Sequence, residues 1–414
     1  MENIYIIGVG MTFFGRQKEK SIKDLTREAV QEALQDAGIE YKEIQCAYVG
    51  NTAQGLLEDQ YCISGPIALR SMGFEGIPML TVENACATAS TALYLAIHFL
   101  QSGQGDVAMA VGVEKLNAGP KDKRFAIFDG CWDVYLTEES TKKLLSMAEG
   151  FEVPPGTQTT EPYSVFMDIY AAGARWHMQK YGTTQRQIAA VASSNHTNSK
   201  LNPRAQYQIP LTIEQVLAAP PITYPLTMPM CSPISDGAAA AIICTEDGLK
   251  RLGLDKKRAI KVHASVLGTG ITRDDNDETK NIASLAAAKA YEMAGLGPED
   301  MSVAEVHDAT ACGQIFQVEN LGFCARGMGG PCAEAGDFSL AGRLPVNPSG
   351  GLLSKGHPIG ATGLGQVWEL VTQLRGEAGA RQVEGARFAI QENGGGVIGL
   401  EEAVCYVGVY GKCD

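Results

Sequence analysis

The stretch TVENACATAST, residues 81–91, decides how this chain is interpreted. The apolar run PMLTV that leads into it predicts a strand, and the run ATASTALYLAIHFL that follows predicts a helix. Cys86 therefore stands at the start of a helix, where free backbone N–H groups and the helix dipole favour negative charge. A thiolate is the nucleophilic form of cysteine, and such a position lowers the pKa of a thiol. The alternative is that Cys86 is a small buried apolar side chain.

Length and composition set the class of protein. The chain has 414 residues, of which 45% are apolar, and this suits two or three domains or one large α/β body. The net charge of −13 argues against nucleic acid as the main partner. A basic spot at Lys121, Lys123 and Arg124 is either a phosphate-binding element or a solvated turn.

The cysteines and the N-terminus indicate the compartment. Eleven cysteines occur singly, without a CxxC pair or zinc-like spacing, so we expect reduced thiols and no metal site. The run MENIYIIGVG has no basic leader, and no segment approaches the roughly 20 apolar residues of a membrane span. The sequence therefore predicts a soluble cytoplasmic protein that does not bind membranes.

The chain repeats itself. The region 24–52 aligns without gaps with the region 281–309, and two later segments that begin at Cys86 and His357 repeat in the same way. Short apolar strands alternate with amphipathic helices, which predicts an internally duplicated α/β fold with a parallel-rich sheet. Cys86 and His357 occupy corresponding strand-to-helix corners, so a pseudo-two-fold axis brings them together.

The alternation lapses between residues 119 and 230, where prolines and glycines mark turns around a long helical run. We expect 119–230 to be an inserted loop subdomain, large enough to act as a lid or to bind a cofactor. The N-terminal half then comprises residues 1–118 and 231–258, and the C-terminal half comprises residues 259–414.

Three further stretches carry candidate catalytic groups. In GGLLSKGHPIGATG, His357 follows glycines that admit a close ligand, and histidine is the usual activator of a cysteine nucleophile. In VHDAT, His307 can donate to a developing oxyanion, whereas Asp308 is expected to orient or cap neighbouring backbone. In QENGGG, Glu392 is either a base or a surface carboxylate, and the glycine N–H groups supply half an oxyanion hole.

With these residues in view, the sequence resembles the thiolase superfamily over essentially its whole length, in particular its SCP2-type and archaeal branch. The resemblance is carried by ENACATAS, by the His-Asp pair of VHDAT and by NPSGGLLSKGHPIGATG. The segments SSNHTNSKLNPRAQYQ, LTIEQVLAAPPI and PLTMPMCSPISDGAAAAI support it.

The resemblance implies a five-layered αβαβα thiolase fold with an inserted loop domain. It also implies coenzyme A as co-substrate, no tightly bound cofactor, and homodimers or dimers of dimers. Cys86 resembles the acyl-accepting nucleophile, and His357 its activator and an enolate donor. His307 stands where ordinary thiolases carry an asparagine, and the N–H groups of Cys86 and Gly394 resemble the second oxyanion hole.

The chain departs from the family at the second catalytic cysteine. Ordinary thiolases place it before the terminal glycine run, and SCP2-type members place it directly after the His-Asp pair. Here those positions hold Glu392 and Ala309. The sequence thus predicts either loss of Claisen chemistry or a replacement acid, for which Glu392 is the first candidate and Cys312 a weaker one.

The resemblance also suggests substrates and partners. The chain is similar to thiolase subunits that cleave benzoylsuccinyl-CoA in anaerobic toluene degradation, and members of this branch often bind a small zinc-ribbon and OB-fold (DUF35) subunit that would carry any zinc. Substrate contacts are expected from Ser232, from the basic spot and from an aromatic acyl pocket, unless these aromatics are only the core of the insertion. The aromatic residues concerned are Phe125, Phe128, Trp132 and Tyr135.

Three functions remain open at this point. The first is CoA-dependent cleavage of a 3-oxoacyl-CoA through an acyl-enzyme on Cys86. The second is biosynthetic condensation of the acetoacetyl-CoA type, because residues do not encode direction. The third is a non-catalytic scaffold that binds acyl-CoA, for which the missing second cysteine argues.

Overall fold

The computed structural model describes residues 2–119, 123–274 and 277–413, without the side chain of Arg124. The strands are β1 Ile4–Met11, β2 Cys46–Gly50, β3 Met79–Val82, β4 Val107–Lys115, β5 Pro221–Thr223, β6 Leu226–Thr227, β7 Asp236–Thr245, β8 Ile260–Thr269, β9 Val303–Glu305, β10 Phe388–Ile398 and β11 Glu401–Lys412. The helices are α1 Ile22–Ala37, α2 Gln54–Glu58, α3 Ser64–Arg70, α4 Thr88–Gln101, α5 Lys123–Ala126, α6 Thr137–Ser146, α7 Val165–Tyr181, α8 Gln185–Ser199, α9 Ile213–Leu217, α10 Glu246–Leu252, α11 Ile282–Ala294, α12 Ala311–Asn320, α13 Gly329–Ala335 and α14 Thr362–Arg375.

Nine strands form one sheet in the order β3-β2-β4-β7-β1-β8-β11-β10-β9. The strand order β2-β4-β7-β1 of the first half matches β9-β10-β11-β8 of the second, and the two halves join where β1 pairs with β8. A parallel bridge between Ala304 and Val346 stands in the second half where β3 stands in the first. The predicted internal duplication is confirmed by this repeated order.

The expectation of a parallel-rich sheet is wrong. Among the strands in the described residues, the parallel pairs are β2 with β3, β2 with β4 and β9 with β10. The central pairs are antiparallel, because β7 and β11 run back between the parallel strands and the first strand of each half.

Apolar packing arranges the helices in three layers around the two half-sheets. Helices α4 and α14 are packed together in a core shared with strands of both halves. Helix α1 covers the outer face of the first half-sheet, and α11 covers that of the second. This is the five-layered αβαβα arrangement that the sequence resemblance implies.

The central helices approach closely because small residues face each other. A Cβ atom on Gly363 would lie 2.0 Å from Oγ of Ser90, so the contact between α14 and α4 requires glycine. Residues Thr362 to Leu374 of α14 are all buried. Burial on every side is the property of a helix in the middle of a large core.

The region predicted as an insertion contains α5 to α9 with the β5–β6 hairpin. Helices α7 and α8 are packed against α12 through an apolar cluster that includes Ile188, Cys312 and Ile315. The insertion thus lies beside the segment that follows His307. The exact bounds of the three predicted regions stay a prediction.

Among the described residues, no helix has the length and apolar character needed to cross a membrane.

Candidate active site

Cys86 lies in a tight turn between β3 and α4. The turn Ala85–Ala87 is a 3-10 helix, and Ala85 has a φ of 47°, an uncommon value for a residue with a side chain. The backbone N–H of Asn84 donates to Oγ1 of Thr88 at 2.8 Å, which holds the turn on α4. A Cβ on Gly395 of β10 would lie 2.4 Å from the carbonyl oxygen of Asn84. The glycine run therefore lets β10 contact the cysteine turn.

The expectation that the helix start lowers the pKa of Cys86 is wrong. Burial raises the pKa of this thiol well above its ordinary value, and the charges of Cys131, Glu402, Glu83 and Glu114 act in the same direction. Desolvation of the thiolate outweighs the short 3-10 turn that precedes the helix. Cys86 is therefore a thiol at neutral pH and requires a base.

His357 is placed as that base. Its backbone N–H donates to Oγ of Ser235 at 2.9 Å, and its Nδ1 lies 2.7 Å from Oγ1 of Thr362. The Thr362 hydroxyl donates to the carbonyl of Pro358 at 3.1 Å, so it accepts from Nδ1–H and leaves the lone pair on Nε2. Burial lowers the pKa of His357 well below its ordinary value, and His307 and Lys355 add to this, so the ring is neutral.

The predicted convergence of the two corners is confirmed. The side-chain donor atoms of Cys86, His307 and His357 all lie within 4.8 Å of one another. The two imidazole rings have their centroids 5.5 Å apart. A thiol and a neutral imidazole at this spacing have the arrangement that a cysteine nucleophile and its base require.

The second imidazole is buried and makes no hydrogen bond among the described residues. His307 is 4% exposed, and neither ring nitrogen has a hydrogen-bond partner among the described residues. Asp308 caps backbone as expected: its carboxyl accepts from the N–H groups of Leu352 at 2.7 Å and Leu353 at 3.4 Å. Burial raises the pKa of Asp308 to about 8. His307 therefore has an N–H free for a ligand, while Asp308 holds the loop that leads to His357.

Two glutamates lie near this centre. Glu392 is fully buried, so the alternative of a surface carboxylate is wrong, and its Oε2 accepts from the backbone N–H of His307 at 2.9 Å. Glu402, which the sequence did not single out, has Oε1 3.5 Å from Nδ1 of His307. Cys312, the weaker candidate for the replacement acid, is buried, and its Sγ lies 3.5 Å from the carbonyl oxygen of Tyr170.

A cavity of about 800 Å³ opens onto these groups. Cys86, His307, His357 and Glu402 line one end of it, and Ser232 also lines it. The remaining wall is mainly apolar and includes aromatic residues from the insertion and from α12, namely Phe125, Phe128, Tyr163, Phe166, Tyr170 and Phe316. A cavity of this size and composition suits a small organic ligand.

Only some of the predicted aromatic residues line this cavity. Phe125 and Phe128 line the cavity, whereas Trp132 stacks behind Phe166, with ring centroids 5.4 Å apart. Tyr135 is 93% exposed, so its assignment to the pocket is wrong. Its position after a turn carries it into solvent rather than toward the other aromatics.

The remaining predicted residues have the following places. Nζ of Lys123 donates to the carbonyl of Leu56 at 3.5 Å, while Lys121 and the side chain of Arg124 lie outside the described residues. Gly394 pairs with Cys405 in the sheet, and a Cβ on it would lie 2.0 Å from Oε1 of Glu402. The predicted oxyanion-hole glycine is thus in contact with a carboxyl group.

Sequence reasoning missed Thr362 and Glu114 as well. Thr362 lies five residues after His357, a spacing at the start of a helix that could have suggested the contact. Glu114 accepts from the N–H groups of Thr52, Ala53 and Gly360, which ties the two halves together, and no sequence pattern indicates this.

The fold and the site define a class: a duplicated α/β protein with a cysteine–histidine pair at the end of an apolar cavity. Residues 4–219 match the family model for the thiolase N-terminal domain, and residues 267–406 match the model for the thiolase C-terminal domain-like family. The chain belongs to the thiolase family.

Its relatives include proteins of archaea and animals. It is 40% identical to the acetyl-CoA acetyltransferase of Methanothermobacter thermautotrophicus over 96% of this chain and 98% of that relative. It is 36% identical to Homo sapiens sterol carrier protein 2 over 96% of this chain and 71% of that relative.

Solved structures share the fold. The Ltp2-ChsH2(DUF35) aldolase superimposes with a TM-score of 0.77 at 22% identity, over 99% of this chain and 98% of that one. Human mitochondrial 3-ketoacyl-CoA thiolase in complex with CoA gives a TM-score of 0.65 at 17% identity, over 100% and 98%.

Proposed function

We propose that this protein is an acyl-CoA C-acyltransferase that cleaves a 3-oxoacyl-CoA with coenzyme A through an acyl-enzyme on Cys86. The observation that carries the proposal is the convergence of Cys86, His307 and His357 within 4.8 Å at one end of an apolar cavity. The names of the archaeal relatives, which are acetyl-CoA acetyltransferases, and the CoA complex of a protein with the same fold support it.

The mechanism begins with proton transfer from the Cys86 thiol to Nε2 of His357. The thiolate attacks the 3-oxo carbon, and the backbone N–H groups of Cys86 and Gly394 are the predicted donors to the tetrahedral oxyanion. Such a donor typically contributes about 3 kcal/mol. The C2–C3 bond then breaks and releases an acyl-CoA enolate, whose oxygen accepts from the unpaired N–H of His307.

The second half of the reaction removes the acyl group from the enzyme. The enolate carbon takes a proton from an acid in the site, and coenzyme A then gives its thiol proton to the same group. The CoA thiolate attacks the acyl-Cys86 thioester, and the departing Cys86 thiolate recovers its proton from His357. Two easier steps replace one hard step, which is the advantage of a covalent intermediate.

For the substrate we propose a bulky apolar or aryl acyl group. The aromatic wall formed by Phe125, Phe128 and Phe166 favours it, because aromatic rings pair with aromatic ligands. Benzoylsuccinyl-CoA is the aryl substrate to which the sequence resemblance points. It carries a free carboxylate, whereas the described lining holds no lysine or arginine and includes Glu401 and Glu402. An uncharged aryl group therefore fits this wall better.

We further propose that the protein works as a homo-oligomer with a small zinc-ribbon and OB-fold partner. The support is the fold shared with a solved aldolase whose name includes a DUF35 component. Light scattering of the purified chain, alone and with a co-encoded small protein, tests this. A monomer that gains no mass in the mixture contradicts it.

The function is tested by intact-protein mass spectrometry after incubation with acetoacetyl-CoA and with 3-oxo-3-phenylpropanoyl-CoA. We expect an acetyl or benzoyl adduct on the wild-type protein that CoA removes, and no adduct on Cys86→Ala. Cys62→Ala is the matched control, because Cys62 is exposed and outside the cavity. Binding of both compounds without an adduct would instead support the scaffold, and acetoacetyl-CoA formation from acetyl-CoA alone would support condensation.

A further inference from the structure

We propose that Glu402, backed by Glu392, is the acid and base that replaces the missing second cysteine. This inference rests on the proposed function, since it names the group that moves the second proton of that reaction. It departs from the sequence-based choice of Glu392 as the group that meets the substrate.

The two glutamates differ in their access to the cavity. Glu402 lines it beside Cys86 and His307, and its side chain is 17% exposed. Glu392 is fully buried and is not among the lining residues. A group that exchanges protons with a ligand must reach the ligand. Glu402 meets this condition, whereas Glu392 is buried outside the cavity lining.

The Glu402 carboxyl is held in a defined place. Its Oε1 accepts from Nε2 of Gln317 at 3.0 Å and lies 3.5 Å from Nδ1 of His307. It also lies against Gly394, where a Cβ would come within 2.0 Å of it. Gly394 and His307 are the residues proposed to hold the oxyanion and the enolate. The carboxyl is therefore next to both groups that are proposed to hold the reacting part of the substrate.

Glu392 supplies the second carboxyl of a pair. Carboxyl oxygens of Glu392 and Glu402 and the sulfur of Cys405 lie within 4.8 Å of one another. Burial raises the pKa of Glu392 well above its ordinary value, and the charge of Glu402 raises it further. Glu392 therefore retains a proton at neutral pH and holds it next to the Glu402 carboxyl that faces the cavity. The other titratable groups that surround it are Cys86, Tyr170, His307, Asp308, Cys405 and the Arg273–Glu401 ion pair.

The proton balance of the reaction then closes. When the C2–C3 bond breaks, its electron pair remains on C2, and that carbon takes the proton of Glu392, passed on through the carboxyl of Glu402. The thiol proton of coenzyme A then returns through Glu402 to Glu392, which restores the pair and creates the nucleophile for the acyl-Cys86 thioester. His357 handles only the proton of Cys86. No other co-reactant is required.

A structural role for Glu402, in which it only orients His307, predicts that the isosteric Glu402→Gln variant keeps most of the hydrogen exchange. We would therefore follow the exchange of the α-hydrogens of acetyl-CoA with D2O by mass spectrometry, beside CoA-dependent cleavage of 3-oxo-3-phenylpropanoyl-CoA. The variants are Glu402→Gln, Glu392→Gln and the surface control Glu384→Gln, which makes the same chemical change at an exposed residue.

We expect Glu402→Gln to lose at least about 100-fold in both exchange and cleavage, the scale of general acid–base catalysis. Alkylation of Cys86 by iodoacetamide should be no slower than in wild type, because Glu402 is one of the groups that raise the pKa of Cys86. The melting temperature should stay close to wild type, because glutamine can still accept from Gln317. Glu392→Gln should lose less than about 10-fold, with the basic limb of its pH profile moved to lower pH. Should Glu402→Gln not fold, Glu402→Asp, which withdraws the carboxyl from His307, should lose at least about 10-fold in exchange.

Exchange by the folded Glu402 variant within about 3-fold of wild type would overturn the inference, as would a loss confined to Glu392→Gln. Wild-type protein that neither cleaves any 3-oxoacyl-CoA nor forms a Cys86 adduct overturns the proposed function instead. Wild-type cleavage with an unaffected Glu402→Gln overturns the inference alone.

Discussion

Nδ1 of His357 lies 2.7 Å from Oγ1 of Thr362, and the Thr362 hydroxyl donates to the carbonyl of Pro358. The hydroxyl is thus committed as a donor to Pro358 and as an acceptor from His357. This contact selects the ring tautomer in which Nε2 can accept the proton of Cys86. The base is therefore oriented by the first residue of the helix that follows it.

We predict that Thr362→Val lowers kcat for cleavage by about 10- to 100-fold, the lower part of the general-base range. Valine keeps the shape of threonine but cannot accept from Nδ1–H. Thr372→Val is the matched control, because the Thr372 hydroxyl of α14 donates only to the carbonyl of Trp368 at 2.7 Å. Steady-state kinetics that show equal losses for both variants would contradict the assignment.

The reactivity of Cys86 should depend on pH in a defined direction. Burial raises the pKa of its thiol, so the rate of alkylation by iodoacetamide should keep rising between pH 6 and pH 9. The measurement is made in a Cys62→Ser background, since Cys62 is exposed and would react as well. A rate that levels off below pH 7 would show a stabilised thiolate and would refute this prediction.

Stability should fall as pH rises through the neutral range. Burial raises the pKa of Glu114 from about 4.5 to about 7. Protonated Glu114 therefore stabilises the fold fully below its unfolded pKa, and this contribution, on the order of 3 kcal/mol, is lost as pH rises through about 7. Urea unfolding at pH 5, 6, 7 and 8 measures the slope.

The variant Glu114→Gln should flatten that slope. An amide cannot accept all the N–H groups that meet the Glu114 carboxyl, among them those of Thr52, Ala53 and Gly360, so we expect a loss of about 1–3 kcal/mol at pH 5. The variant should then lose less further stability than wild type as pH rises. Glu384→Gln serves as the exposed control. An unchanged slope in Glu114→Gln would exclude this carboxyl as the cause.

Phe166→Ala should discriminate among substrates. Phe166 lines the cavity and stacks on Trp132, so its removal takes away an aromatic contact for an aryl acyl group. We expect kcat/KM for 3-oxo-3-phenylpropanoyl-CoA to fall about 10-fold or more, and that for acetoacetyl-CoA to change less than about 3-fold. Phe151→Ala is the control, because Phe151 packs on Tyr224 outside the cavity lining. Equal changes for both substrates would argue against an aryl site.

The convergence of Cys86 and His357 could be predicted from sequence because each lies in a recognisable corner. A duplicated strand-to-helix pattern and glycine-rich flanks are local properties, and two copies of one unit pack in related ways. The glycines Gly363 and Gly395 carry the close contacts that this packing requires. Local patterns thus predicted the duplication and the meeting of the two corners, and the family resemblance implied the five layers.

The protonation of Cys86 and the position of Glu402 could not be predicted in this way. The pKa of the thiol depends on burial by segments remote in sequence, and burial reversed the effect expected from the helix start. Glu402 reaches Gly394 because β11 folds back along β10, with Val397 opposite Glu402. The exposure of Tyr135 could not be predicted either. The sequence around an aromatic residue in a loop does not indicate whether its side chain enters a pocket or faces solvent.

The amino-acid sequence by itself determined the duplicated α/β architecture and the cysteine–histidine pair, because both depend on short-range periodicity and on residues at fixed spacing. Only the tertiary structure decided which carboxyl faces the cavity, which tautomer His357 adopts and whether Cys86 is a thiol. Those properties depend on desolvation and on contacts between residues far apart in the chain. Local sequence patterns indicate neither the desolvation nor the contacts.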